Sequence, residues 1–334
     1  METRLANPLA FPKKMPDGFP ELPSEPAFDA SKHLAIETPT EIVDLATLGY
    51  DTQTIASCPT TLAITSAFRI LSDEGVACLQ EVAHALEPYT RSIERISRMV
   101  RGGVYQSRFL RDFCMAPELT EAISSVCDAP MHPHTMPHQL GHLNYNPHDV
   151  SQNVDKWHAD TLRVDFVLFV TDPNAVAGGE FQYFKGTVTE VAELKKRGEP
   201  MPHDRIVSPE LPGPGYAVLQ QGNMVVHRAK GLDAPGERIT LVNGYVPADL
   251  SFPDFTRFDQ LFLADPQHIA ASEYTRHTAW MARERLQRMI DASEFGDDRD
   301  AFAGNLEDIA SALQLAAHNI RNAGSAKMEH FGDG

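Results

Sequence analysis

Apolar residues recur three and four apart through "TLAITSAFRILSDEGVACLQEVAHALEPYTRSIERISRMV" (61–100), placing Val76, Leu79, Val82 and Leu86 on one side and predicting helix. "APELTEAISSVC" (116–127) predicts a second, shorter helix, with proline early and acids in the first turns. Helix is therefore expected over about 60–130. The texture then changes. Between about 138 and 250 come short runs such as "GHLNYN", "DFVLFVTD", "GEFQYF", "YAVLQQ", "MVVHRA" and "RITLVNGYV", separated by Pro, Gly and Asn/Asp. That punctuation predicts an all-β barrel or sandwich. Helical spacing returns over about 255–323, in "ASEYTRHTAWMARERLQRMIDA" and "LEDIASALQLAAHNIRNAG". Tyr274, Trp280, Met281, Met289 and Ile290 fall roughly along one side of the first and read as a packing stripe. Residues 1–35 are proline-rich and without period, which predicts an extended segment draped on a single domain over 36–334. The expected fold class is a mainly β core enclosed by helices from both ends.

Composition changes this picture little. With 46 acidic against 29 basic residues the formal charge is −17, which disfavours nucleic acid and anionic lipid as partners. No apolar run is long enough for a membrane span, and the N-terminus does not resemble a secretory signal. Cys58, Cys78, Cys114 and Cys127 form no C-x-x-C pair and read as reduced packing thiols, so the cytoplasm is the expected compartment. The helical flanks leave monomer and homodimer open.

The chemistry concentrates in histidines. Residues 131–160 hold six of the chain's fourteen. Among these, His158 stands two residues before Asp160 in "WHAD", and in a strand both side chains leave one face. Chance alone supplies roughly two H-x-[DE] matches at this composition. The pair gains weight from "GPGYAVLQQGNMVVHRAKGLDAPGERITLV" (213–242), where His227 is followed eleven residues later by Arg238, with Thr240 two beyond it. Two histidines and a carboxylate suit a facial iron(II) site with open positions, whereas a closed zinc site favours thiolates. Arg238 offers the planar fork that suits a carboxylate.

Here the chain resembles the iron(II)/2-oxoglutarate-dependent oxygenases, and more loosely their phytanoyl-CoA hydroxylase-like and prolyl-hydroxylase-like branches. The resemblance spans about 138–247 and rests on "WHAD", on "AGGEF" (177–181) and on "GYAVLQQGNMVVHRAKGLDAPGERIT", with a fainter echo in "SDEGVACLQE". It implies a double-stranded β-helix, or jelly-roll, with iron(II) on His158, Asp160 and His227. It implies 2-oxoglutarate as cosubstrate, its far carboxylate on Arg238 and Thr240, and dioxygen as oxidant. The "LNYN" strand adds Asn144 and Asn146 as cosubstrate contacts. The implied reaction is hydroxylation of an unactivated C–H bond in a small molecule, such as an amino acid or secondary-metabolite precursor, with succinate and carbon dioxide released. Desaturation, epimerisation or ring formation would use the same oxidant, and a protein substrate is the runner-up. Halogenating relatives lack the carboxylate ligand, so Asp160 disfavours that outcome. A non-catalytic, cupin-like metal-binding module is the reading from a different class.

Other residues carry blander expectations. His132, His134, His138 and His148 are expected in loops, solvated or hydrogen-bonded, while His142 shares strand parity with Asn144 and could line the pocket. Trp157 is expected in the core, Gly178 and Gly179 at a close backbone approach, and Glu180, Arg163 and Arg228 at the surface. "ELKKRGEP" reads as a solvated turn.

Overall fold

The computed structural model describes residues 5–292 and 298–333. The strands in chain order are β1 (Ile42–Asp44), β2 (Leu62–Thr65), β3 (Phe68–Arg69), β4 (Met99–Val100), β5 (Met131–Pro133), β6 (His142–Tyr145) and β7 (Asp155–His158). They continue with β8 (Val164–Phe169), β9 (Phe181–Phe184), β10 (Ile206–Val207), β11 (Tyr216–Gln220), β12 (His227–Ala229) and β13 (Ile239–Pro247). One antiparallel sheet runs β1-β2-β11-β8-β13-β6-β4, with β3 on β11 and β5 on β13; the second runs β10-β9-β12-β7. From β6 to β13 the chain changes sheet at every step except β9 to β10. That winding is a jelly-roll, as expected.

Two apolar layers hold the larger sheet. Its inward side meets the smaller sheet through Val167, Phe169 and Val218 against Phe181 and Tyr183. Its outward side carries Phe166, Leu168, Leu219 and Leu241, which pack against Val76, Leu79, Val82, Ala83 and Leu86 of the helix Asp73–Leu86. That helix starts where Ser72 accepts a hydrogen bond from Gly75 N–H, with Asp73 and Glu74 in the first turn. Fully burying each such leucine or valine stabilises the fold by roughly 1.5–3 kcal/mol, so one face of one helix anchors the sheet.

Several expectations need correction. The predicted helical stretch opens with two strands, because "LAIT" is buried on all four positions and pairs with β1 and β11. A short apolar run of this kind has no period to distinguish strand from helix. Its far end, "SIERISRMV", is irregular up to β4. "ELKKR" lies at the surface but closes the helix Val188–Arg197, capped by Gly198 at φ +68°. In the stripe on the helix Gln267–Ala292, Tyr274 and Trp280 are buried, whereas Ile290 is 67% exposed.

The Pro/His-rich stretch is not a solvated loop. It forms β5 and a tight turn beneath the helix Gln267–Ala292, and His134 and His138 are buried. His138 Nδ1 lies 2.7 Å from Glu273 Oε1, and Glu273 also accepts from His138 N–H. His277 shares a 2.5 Å hydrogen bond with Thr135 and lies 3.1 Å from Asp254, while His134 stacks on its ring at 5.3 Å. Burial pushes the His134 imidazole down to about 3, so it sits there neutral. His132 is half-buried on the Ala6 carbonyl, and His148 is exposed. Arg163, expected at the surface, is buried and donates to the Pro253 and Ser57 carbonyls. Among the described residues no helix is long and apolar enough to cross a membrane.

Candidate metal centre

The register of the smaller sheet sets His158 of β7 directly across from His227 of β12, with ring centroids 4.2 Å apart. β7 ends at His158, so strand parity does not place Asp160. A turn does: Asp160 N–H donates to the Gly222 carbonyl at 2.8 Å, which swings the carboxylate back between the imidazoles. Its Oδ1 lies 3.3 Å from His158 Nε2 and its Oδ2 3.3 Å from His227 Nε2. The three ligand atoms fall within 4.8 Å of one another, and among the described residues no other His/Cys/Asp/Glu group does so.

Local hydrogen bonds prepare these atoms for a cation. His158 Nδ1 donates to the Lys156 carbonyl at 2.6 Å and His227 Nδ1 to the Val225 carbonyl at 2.9 Å. With Nδ1 engaged by the backbone, Nε2 is the atom each ring turns toward Asp160, and it gives up its proton when a cation takes that place. Burial works against charge on Asp160, but the two imidazoles outweigh it and hold the carboxyl well below its usual range. Burial lowers His227, yet Asp160 beside it raises the imidazole above its ordinary value; His158, buried and facing Arg95, is lowered. Phe181 stacks on His227 at 5.6 Å and walls the site with carbon.

A second carboxyl sits behind the first. Asp165 on β8 is fully buried, and burial together with the charge on Asp160 pushes its carboxyl well above the usual range. Gln220 Nε2 donates to Asp165 Oδ1 at 3.0 Å and approaches Asp160 Oδ2 at 3.5 Å. Gly222 makes room for both acids, since a Cβ there would lie 2.3 Å from Asp165 Oδ2 and 2.4 Å from Asp160 Oδ2. Gly222→Ala is therefore expected to leave the fold standing and to weaken iron(II) binding about tenfold or more, the usual scale for displacing a ligand's support. Chelator competition reads that loss; an unchanged affinity would show that Asp160 does not depend on this packing.

Arg238 closes the far side of the same cavity. It is 1% exposed, donates from Nε to the Gly179 carbonyl at 2.6 Å, and lies over the Phe169 ring. Gly179, at φ +75°, allows this approach: a Cβ there would stand 2.9 Å from Arg238 Cδ. Nη1 reaches Thr240 Oγ1 at 3.4 Å, while Nη2 is buried with no partner. Burial lowers the guanidinium to about 10, so it remains charged at neutral pH. Thr240 pairs across the sheet with Asn144, whose buried Oδ1 also lacks a partner. Asn146 is different. It lies beyond β6, accepts from Arg238 N–H at 3.0 Å and does not line the cavity. Glu180 is half-exposed and pairs with Lys230; Arg228 lies over the buried Trp157 ring and holds Gln182.

This inner cavity of about 40 Å³ adjoins an outer one of about 670 Å³. Arg95, His142, Asp160 and Val242 line both and so mark the neck. His142, left open in the sequence, lines the cavity, while Arg95, Asp155, Asp165, Gln220 and Gly222 were not singled out there. A lone acid inside the apolar run "VDFVLF" was the one available signal.

The donor set fits a divalent cation. Two imidazoles with free Nε2 and one ionised carboxylate suit iron(II), with coordination positions left for other ligands. Arg238, whose buried Nη2 lacks a partner, lines the same cavity as these three residues and fits a carboxylate. No protein-family model matches the chain, and no curated protein does. Solved structures similar to it include the non-haem α-ketoglutarate-dependent epimerase SnoN from nogalamycin biosynthesis (13% identity, 55% of this chain and 78% of that one, TM-score 0.39). EctD from S. alaskensis with bound Fe is similar at 16% identity over 71% of this chain and 89% of that one, TM-score 0.40. HygX from Streptomyces hygroscopicus with nickel, 2-oxoglutarate and hygromycin B is similar at 13% identity over 58% and 85%, TM-score 0.36. At these TM-scores the likenesses add nothing to the geometry, which stands on this chain's own residues.

Proposed function

We propose that this chain is a non-haem iron(II)/2-oxoglutarate-dependent oxygenase that hydroxylates a C–H bond of a small molecule. One observation carries the reading: the His158–Asp160–His227 set and the buried, unpaired Arg238 Nη2 line one cavity. Iron(II), 2-oxoglutarate and dioxygen would supply the oxidising power, with succinate and carbon dioxide as co-products. The protein's part is to bind, orient and exclude water. His158, Asp160 and His227 hold the metal; Arg238, Thr240 and Asn144 hold the cosubstrate's far end; Asn146 holds the Arg238 backbone. Val167, Phe181 and Val242 keep the inner cavity apolar between these groups.

A small substrate suits the outer cavity because the chain's last residues wall it. Phe331 N–H donates to the Trp157 carbonyl at 2.6 Å, Trp157 N–H to Gly332 at 3.0 Å, and Glu329 N–H to Gln260 at 2.9 Å. This strap runs beside β7, and Lys327, Met328, Glu329, His330 and Phe331 narrow the outer cavity. Four free thiols suit a reducing cytoplasm. A non-catalytic metal module has no use for a buried arginine fork beside its metal. With iron(II), 2-oxoglutarate and air, the wild type is expected to form succinate slowly even without a prime substrate. His158→Ala should lose this and His132→Ala should keep it. Equal rates in wild type and His158→Ala would remove the proposal.

A further inference from the structure

The outer cavity reverses the charge balance of the chain. Five basic residues (Arg95, Arg101, Lys195, Arg257 and Lys327) line it against two acids, Asp160 and Glu329, in a protein with 29 basic and 46 acidic residues. Most of these cations are already engaged. Arg101 grips Asp265 through Nε at 2.7 Å and Nη2 at 2.9 Å. Arg257 pairs with Asp259 and Glu329, and Lys195 donates to the His330 carbonyl. Arg95 is the exception at the neck. Its Nε lies 3.1 Å from Asp155 and makes no hydrogen bond there, so among the described residues Arg95 is ion-paired to one acid but not gripped by it.

His142 stands at the same neck with its tautomer set. Arg101 Nη1 lies 3.5 Å from His142 Nδ1, and a guanidinium can only donate, so Nδ1 accepts and the proton sits on Nε2. That Nε2–H is buried with no partner. Gln139, also buried and lining the cavity, has an unpartnered side-chain nitrogen as well. Leaving buried donors unmet costs about 1–3 kcal/mol each, so a ligand supplying acceptor oxygens is favoured there. Beyond the neck Ile93, Met99, Phe255, Leu261 and Phe331 supply apolar wall between the charges already paired.

We propose that the substrate is a carboxylic acid with an apolar body, its carboxylate docked at the neck against Arg95 and the His142 Nε2–H. This rests on the oxygenase reading, because it places the anion beside the metal ligands and outside the position assigned to 2-oxoglutarate. A guanidinium and a neighbouring N–H match the two oxygens of a carboxylate better than a neutral amide or hydroxyl.

The test is calorimetry on the anaerobic iron(II)–2-oxoglutarate complex with hexanoate, 3-phenylpropionate and N-acetyl-leucine, each beside its primary amide. At least one acid is expected to bind about tenfold or more tightly than its amide. Arg95→Gln should erase that preference without changing 2-oxoglutarate affinity, and Arg95→Lys should retain part of it, which separates charge from misfolding. No acid outperforming its amide, or a preference that survives Arg95→Gln, overturns the proposal. So does an acid that competes with 2-oxoglutarate, since it then occupies the cosubstrate position. If wild type forms no cosubstrate complex, the oxygenase reading fails by itself, and the same titrations on the metal-free protein still decide the carboxylate question.

Discussion

Replacing His227 with alanine is expected to weaken iron(II) binding on the order of a hundredfold or more, while circular dichroism and the thermal midpoint change little by comparison. The effect is large because the site has only three protein donors, and the change removes one without offering another. His227 is also the group that most strongly keeps Asp160 ionised, so the variant weakens a second ligand as well. The neighbouring β12–β7 pairing runs through backbone atoms and survives the substitution. His132→Ala is the control. Its imidazole is tied to the Ala6 carbonyl at 2.8 Å and lines neither the inner nor the outer cavity, so iron affinity should not move. Competition with a chromophoric chelator under anaerobic conditions measures both. Equal losses in the two variants would mean that the histidines act through folding and not as ligands.

Arg238→Gln is expected to raise the 2-oxoglutarate concentration needed for half-saturation on the order of a hundredfold and to leave iron affinity near wild type. The guanidinium is fully buried, it is held by Gly179 and Thr240, and its Nη2 waits without a partner. A glutamine there keeps a polar group but loses the charge and the fork. Lysine should rescue only part, because its single ammonium cannot hold Gly179 and a carboxylate together. Titrating 2-oxoglutarate into the iron-loaded variant reads the shift directly. A requirement within about threefold of wild type would remove the anchor role, since losing a charged hydrogen bond costs more than that.

The jelly-roll was legible because its strands are short and are separated by Pro, Gly and Asn, although most are buried at nearly every position. The gathering of His158, Asp160 and His227 was legible as an H-x-D pair with a later histidine in an apolar run. The path to the site was less so. Asp160 reaches the metal position through a turn held by Gly222, not through strand alternation, and no local pattern announces a contact 62 residues away in the chain. "LAIT" was misread because a short buried strand has no period. The Pro/His stretch was misread because its burial depends on a helix that begins 129 residues after His138, at Gln267. Arg95 and Asp155 could not have been singled out, since ordinary charged residues acquire meaning only where the fold brings them together beside the site. Asn146 failed at the other limit: the strand ends one residue before it, and its side chain turns to the Arg238 backbone.

The most direct measurement is anaerobic. Purified protein takes up iron(II), then 2-oxoglutarate, and the visible metal-to-ligand charge-transfer band of the chelate is followed. The band is expected to form in wild type, to be absent in His158→Ala, and to appear in Arg238→Gln only at much higher 2-oxoglutarate. Bound iron in the wild type with no band at any 2-oxoglutarate concentration would contradict the oxygenase reading.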